Sequence, residues 1–178
     1  MIELIKNIEQ WAEDRNLING STPQKQMLKL MEEFGELCGG ILKNKPEVIK
    51  DSIGDCFVVL VILNKQMKVI YSFDWEVACN NESWGGNPEN SLIFLAKHIS
   101  ELNFDPEPKN YNSLERFNEC LGDFVDSFKS AVSTLTYITF CFDLDFKDCI
   151  QHAYDQIKDR KGKMIDGVFV KEGDLEND

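Results

Sequence analysis

Apolar residues along the first part of the chain recur at three- and four-residue spacing, the period of a helix with one buried face. Residues Ile2 to Arg15 put Leu4, Ile5, Ile8, Trp11 and Ala12 on one side, which predicts an amphipathic helix. After the Asn19-Gly20 turn signal, Thr22 is a cap residue and Pro23 suits the first helical position, where no N–H is needed. Met27, Leu30, Met31, Phe34, Leu37, Cys38 and Ile41 then form the stripe of a second helix and are its expected buried face. Pro46 stands near the start of a third segment, whose apolar run Cys56 to Leu63 could by itself be a buried strand. The amphipathic beginning, Glu47 to Asp55, enters that run without a turn signal, so a helix sunk in a bundle is expected. Gly54 weakens such a helix by about 1 kcal/mol relative to Ala, and close packing against another helix would account for it.

Further on, Ser72 to Glu76 starts a short helix that ends near Asn80-Asn81, and the turn formers of residues 83–88 follow. What comes next reads as an eroded copy of the first part. Leu95 to Leu102 aligns with Leu30 to Leu37, so that Glu101 matches Glu36 while Lys97 and His98 replace Glu32 and Glu33. Leu121-Gly122-Asp123-Phe124 matches Ile53-Gly54-Asp55-Cys56, with Glu119 opposite Asp51, and Asp145 to Cys149 echoes Asp74 to Ala78. The expectation is one domain over 1–178, with a first repeat at 1–82, a degenerate second repeat at 90–160 and a tail at 161–178. The connection 103–112, with Pro106 and Pro108, should be exposed. A last helix from Lys147 to about Lys161 should stop at Gly162, and residues 163–170 alternate around Asp166-Gly167, a type I′ hairpin signal, before a frayed acidic tail. The predicted fold class is all-α, a helical bundle of two related hairpins with a short β-like hairpin at its C-terminal end.

Charge and cysteine usage narrow the classes. A net charge of −12 argues against a nucleic-acid groove, since affinity for polyanions comes largely from Lys and Arg on phosphates. Six cysteines without a C-x-x-C pair read as reduced thiols of a cytoplasmic protein. The amino terminus carries no signal-peptide pattern, and the apolar run 56–63 is too short for a bilayer, so no membrane partner is expected.

The candidate chemistry is a cluster of carboxylates. Glu33 and Glu36 lie about 60° apart on the second helix, Glu32 falls further round, and Asp51 and Asp55 share a face of the third at i and i+4. Mg²⁺ and Mn²⁺ take oxygen ligands in octahedral geometry, and such pairs supply a half-shell. A solvated acidic face has the same spacing, and the two readings stay open on spacing alone. His98-x-x-Glu101 is a single reversed pair, unlike the paired Glu-x-x-His of di-iron bundles.

Glu33-Phe34-Gly35-Glu36, a gap, and Ile53-Gly54-Asp55 resemble the signature of the MazG-like, all-α nucleoside triphosphate pyrophosphohydrolases. The tail, from Ala153-Tyr154 through Ile157 to Met164 and on to Lys171, is similar to the close of phage and bacterial MazG-like chains. The family pattern is Glu-x-x-Glu followed by Glu-x-x-Asp, and Ser52 stands where its third acid belongs. The resemblance therefore implies Glu33, Glu36 and Asp55 as metal ligands, with Asp51 as helper, and Glu32, Glu33 and Glu36 as catalytic carboxylates. It further implies Mg²⁺, or Mn²⁺, as cofactor, a nucleoside triphosphate as substrate, and cleavage to monophosphate and pyrophosphate. Trp11 and Arg15 of the first helix join the implied nucleotide pocket. Lys29 either meets a phosphate or pairs with Glu33. Lys158, Arg160, Lys161 and Lys163 either bind triphosphate or complement a helix end. A homodimer or higher homo-oligomer is expected, because in the simple family the active bundle is shared between subunits; a catalytically inactive bundle that binds a nucleotide or a protein is the alternative.

Overall fold

The computed structural model describes residues 1–67, 87–102, 105 and 108–175. Its elements are α1 (Ile2–Asp14), α2 (Leu17–Gly20), α3 (Pro23–Leu42), α4 (Pro46–Met67), α5 (Pro88–Glu101), a 3-10 turn (Pro108–Asn110), α6 (Leu114–Cys141), α7 (Phe146–Ile157), β1 (Gly162–Ile165), β2 (Val168–Lys171) and α8 (Glu172–Leu175). The fold is all-α with one small antiparallel hairpin, as the periodicity predicts. The short helix expected near 72–81 and the turn cluster 83–86 lie outside the described residues.

Local chemistry explains most helix boundaries. Thr22, Asn87, Ser113 and Asp145 each accept a backbone N–H with the side chain, at Lys25, Asn90, Arg116 and Asp148 respectively. At the end of α3 the Lys45 N–H reaches the Gly40 carbonyl at 2.9 Å and the Asn44 N–H reaches that of Ile41 at 3.0 Å, with Asn44 at φ 48°. That is a Schellman close in which asparagine takes the left-handed position usually held by glycine. Asp143, at φ 54°, closes α6 in the same way through Leu144 N–H to the Thr139 carbonyl at 3.0 Å.

α4 is the centre of the core. It packs against α3, α1 and α7, and it is buried at Ile49 and almost continuously from Ser52 to Asn64, with only Asp55 partly open. A helix surrounded this way can be apolar on all sides, which is why the run 56–63 imitates a strand in sequence. Gly54 sits at the crossing with α7: a Cβ there would run into the Cys149 carbonyl oxygen and lie 2.7 Å from Ala153 Cβ. Phe57 meets Phe146 edge to face at 5.3 Å, tying the same two helices. α5 pairs with α6 as a second hairpin laid along α3.

Three expectations need correction. The inward face of α3 is Gln26, Leu30, Glu33, Leu37, Gly40 and Ile41, while Met31 is 49% exposed. The helix has turned by about one residue step so that Glu33 looks inward. The last helix ends at Ile157 rather than near Lys161, because α1 takes the carbonyls there: Trp11 Nε1 donates to Ile157 O at 2.7 Å, and Arg15 donates to Lys158 O at 2.8 Å and Arg160 O at 3.0 Å. Glu172 to Leu175 form a helical turn where a frayed tail is expected. The hairpin itself follows the sequence signal, with Asp166 at φ 48° and Gly167 at φ 78° as type I′ geometry requires.

Candidate functional site

A cleft of about 510 Å³ opens between the carboxylate faces of α3 and α4 on one side and the C-terminal hairpin on the other. Glu32, Glu33, Glu36, Asp51 and Asp55 all line it, so the fold does gather the acids that the sequence singles out. Each arrives from a different setting. Glu33 is only 6% exposed and receives Lys29 Nζ at 2.6 Å. Glu32 shares that ammonium at 2.9 Å but stays in solvent. Glu36 is exposed and has no ion pair among the described residues. Asp51 accepts from Gln156 Nε2 at 2.7 Å and has His152 Nε2 at 3.5 Å, which ties it to α7.

The electrostatics follow from that crowding. Burial, then the charges of Glu33 and Asp51, push Asp55 up to about 7, against the pull of Arg160 and Lys29. Burial also raises Glu33, and its hydrogen bond to Lys29 only partly offsets this. Burial pulls Lys29 down, but its bonds to Glu33 and Glu32 outweigh it and the ammonium ends above its usual range. The site thus holds more negative charge than its own cations neutralise.

A hard divalent cation is the ligand this donor set suits, since every donor is a carboxylate oxygen and the charge of Asp55 is disfavoured by its acidic neighbours. Among the described residues no three His, Cys, Asp or Glu side chains stand close enough to hold a metal as they are, so binding would have to draw them together. Ser52, in the place of a third acid, is 1% exposed with its Oγ unpartnered. It is packed in the core and does not line the cleft.

Of the other residues singled out in sequence, Trp11, Lys29 and Arg160 line the cleft. Lys158, Lys161 and Lys163 do not, and Lys158 is held by Asp155 at 2.7 Å. Their density in the sequence marks the approach to the hairpin and not the cleft wall. Sequence reading missed Lys25, Ser21, Gln156, Phe169 and Lys171 as lining residues. The alternation of β2 and the similarity of the tail to MazG-like chains draw attention to Phe169 and Lys171, but nothing local could say which surface that strand would cover.

A stretch of 64 residues is 81% identical to an uncharacterized 18.2 kDa protein in the rep-hol intergenic region of Haemophilus phage HP1 (strain HP1c1), covering 36% of this chain and 39% of that protein. The match thus spans well under half of that relative. No solved structure matches the chain. Among the described residues no helix is long and apolar enough to cross a membrane. The MazG nucleotide pyrophosphohydrolase domain matches residues 21–82, the segment that supplies Glu32, Glu33, Glu36, Asp51 and Asp55 to the cleft, while a sixth lining carboxylate, Asp174, comes from α8.

Proposed function

We propose that this chain is a Mg²⁺-dependent nucleoside triphosphate pyrophosphohydrolase that converts a (d)NTP and water to the (d)NMP and pyrophosphate. The observation that carries the reading is the placement of Glu33, Glu36 and Asp55 in one cleft with Asp55 raised to about 7 by burial and acidic neighbours. Glu33, Glu36 and Asp55 would hold the cation, with Asp51 beside them in the role Ser52 cannot fill. When bound, the cation supplies charge neutralisation on the phosphate oxygens and lowers the pKa of a coordinated water.

In the reaction, the water oxygen forms a bond to the α-phosphorus. The bond from that phosphorus to the α,β-bridging oxygen breaks, and pyrophosphate leaves with the electron pair. The water's proton goes to a carboxylate not spent on the cation. Glu32 and Glu36 both stand at the exposed side of the cleft, and Lys29 already engages Glu32. Arg160 and Lys29 are the cations nearest this chemistry, both acting on Asp55 through space. They would meet the triphosphate and so take over part of the neutralisation.

Two further parts of the reading concern assembly and descent. We take α5 and α6 for a related copy of α3 and α4 that has lost its acids. We also expect a cytoplasmic homodimer, supported by Leu28 and Met31 on the outer side of α3, which the rest of the chain leaves exposed. The alternative of a nucleotide-binding bundle without turnover has its own support in Ser52 and in the absence of a three-ligand cluster among the described residues.

A panel of dNTPs, dUTP and NTPs with Mg²⁺ or Mn²⁺, with products resolved, tests the choice. Pyrophosphate and monophosphate from a subset of them, lost in Glu36→Gln together with Mg²⁺-dependent thermal stabilisation, is the expected result. Thermal stabilisation by Mg²⁺ and nucleotide without any product would select the binding-only reading, and no stabilisation would count against a metal site.

A further inference from the structure

The cleft is built from two lengths of chain that only the fold unites. Its acidic wall lies within 21–82, while Phe169 and Lys171 of β2 come from far beyond the family match. The hairpin that carries them is fixed at both ends. Arg15 holds the carbonyls of Lys158 and Arg160 at its base, and the Glu172 N–H bonds the Lys161 carbonyl at 3.0 Å. At its tip, a Cβ on Gly167 would lie 2.9 Å from Lys25 Nζ and 3.2 Å from the Gly20 carbonyl oxygen, so the turn rests on the start of α3. The wall is thus held at its base and at its tip.

Among the described residues two aromatics line the cleft, and they are not equivalent. Trp11 is buried, its N–H is spent on Ile157, and the Arg15 guanidinium covers its ring at 5.1 Å. Phe169 is only partly buried. Its ring leans on the flat side of Gly162, where a Cβ would lie 2.7 Å from Cζ, and meets Trp11 edge-on at 6.4 Å. The same cleft is lined by the aliphatic Leu17, Val59 and Ile62 and by one buried polar pair, Gln26 donating to Ser21 Oγ at 3.0 Å. An oriented ring with an aliphatic surround and one amide and one hydroxyl is the chemistry that holds a heteroaromatic base, by stacking and by hydrogen bonds to its edge. Lys171, two residues along the strand, adds a cation to the same wall.

We propose that Phe169 is the stacking face for the nucleobase, with Trp11 as the positioning residue behind it, and that Lys171 pairs with a phosphate of the same nucleotide. The proposal rests on the nucleoside triphosphate reading of the acidic wall. The test uses the full chain with Mg²⁺ and two probes: the α,β-imido analogues of the four common deoxynucleoside triphosphates, and inorganic tripolyphosphate, which has no base. Binding is measured by calorimetry, and kcat and KM on the cleavable nucleotides.

Phe169→Ala should weaken the imido nucleotides by about tenfold or more and raise KM in parallel, with tripolyphosphate affinity and kcat unchanged, and Phe169→Tyr should restore binding. Lys171→Gln should weaken both probes by a similar factor. If Phe169→Ala does not fold, Phe169→Leu, which keeps apolar bulk without a flat ring, carries the same expectation. Equal loss for both probes, or no loss, overturns the proposal. Turnover by the wild type with unchanged KM in Phe169→Ala sinks this inference alone. Phe169-dependent nucleotide binding without turnover sinks the hydrolase reading alone, and a wild type that binds neither probe sinks both.

Discussion

The two helical hairpins treat their acids in opposite ways. In the first, Glu33 is buried and Asp55 is pushed up to about 7 by burial and by Glu33 and Asp51. In the second, Glu101 stands where Glu36 does in the sequence match, and the Ser127 hydroxyl, donating at 2.9 Å, holds it below its usual range with Lys97 and His98 adding to the effect. Asp123, which the sequence match sets opposite Asp55, is exposed, and among the described residues nothing lies within 4 Å of a Cβ placed on Gly122. One hairpin keeps carboxylates that lack sufficient countercharge; the other has satisfied or solvated them. A site is therefore recognised less by the presence of acids than by where their charge is left uncompensated.

The comparison breaks most sharply at the paired aspartates. If the proposed hydrolysis holds, Asp55→Asn should lower pyrophosphate release by at least about a thousandfold, because it removes one of the charges that would hold the cation. Asp123→Asn should leave turnover at the wild-type level. Similar losses in both variants would mean that the second hairpin carries chemistry too.

The paired glycines should separate next, in stability. Gly54→Ala drives a methyl into the Cys149 carbonyl and Ala153, and should cost about 2–3 kcal/mol in chemical denaturation. Gly122→Ala meets open space inside α6 and should gain up to about 1 kcal/mol from helix propensity alone. A matching cost at Gly122 would place it at an interface with a second copy.

That contrast also marks what a sequence can carry. Thr22, Pro23 and Asp166-Gly167 announce their caps and turn because the chemistry is local, whereas helix spacing pairs the acids only within α3 and within α4 and leaves a solvated face as an equal reading, so that it is the family resemblance that singles them out. The inward turn of Glu33 at the expense of Met31, the early end of α7 at Ile157, and the arrival of Phe169 at the acidic cleft depend on contacts with α1 and α4 across the fold. No residue near Phe169 in sequence encodes its neighbour. The basic run divides for the same reason, since only Arg160 of its four cations lines the cleft.

A smaller effect should appear on titration of the metal-free protein. Asp55 binds its proton more tightly when folded than when unfolded, so between its ordinary range and about 7 the native state holds the extra proton. The stability from this group is complete at low pH and is lost as pH rises through about 7. Thermal midpoints without metal should therefore fall from pH 6 to pH 8 relative to Asp55→Asn, whose profile should be flatter. Since cation binding requires the ionised carboxylate, Mg²⁺ should reverse the trend and bind more weakly below pH 7. Midpoints with the same pH dependence in both proteins would show that Asp55 titrates normally and that its crowding is relieved in solution.

The smallest expected difference is the absence of one. Thr22 and Ser113 cap α3 and α6 through the same bond, to Lys25 N–H at 3.2 Å and Arg116 N–H at 3.0 Å. Replacing either by Ala should cost about 1 kcal/mol, since the helix start loses one acceptor for an otherwise open N–H in both places. Parity here, beside the large asymmetry at Asp55 and Asp123, would mean that the hairpins share a scaffold and differ in charge placement. If Thr22→Ala also weakened Mg²⁺ or nucleotide binding while Ser113→Ala did not, the start of α3 would be positioning Gln26 and Lys29 for the cleft, and the cap would count as part of the site.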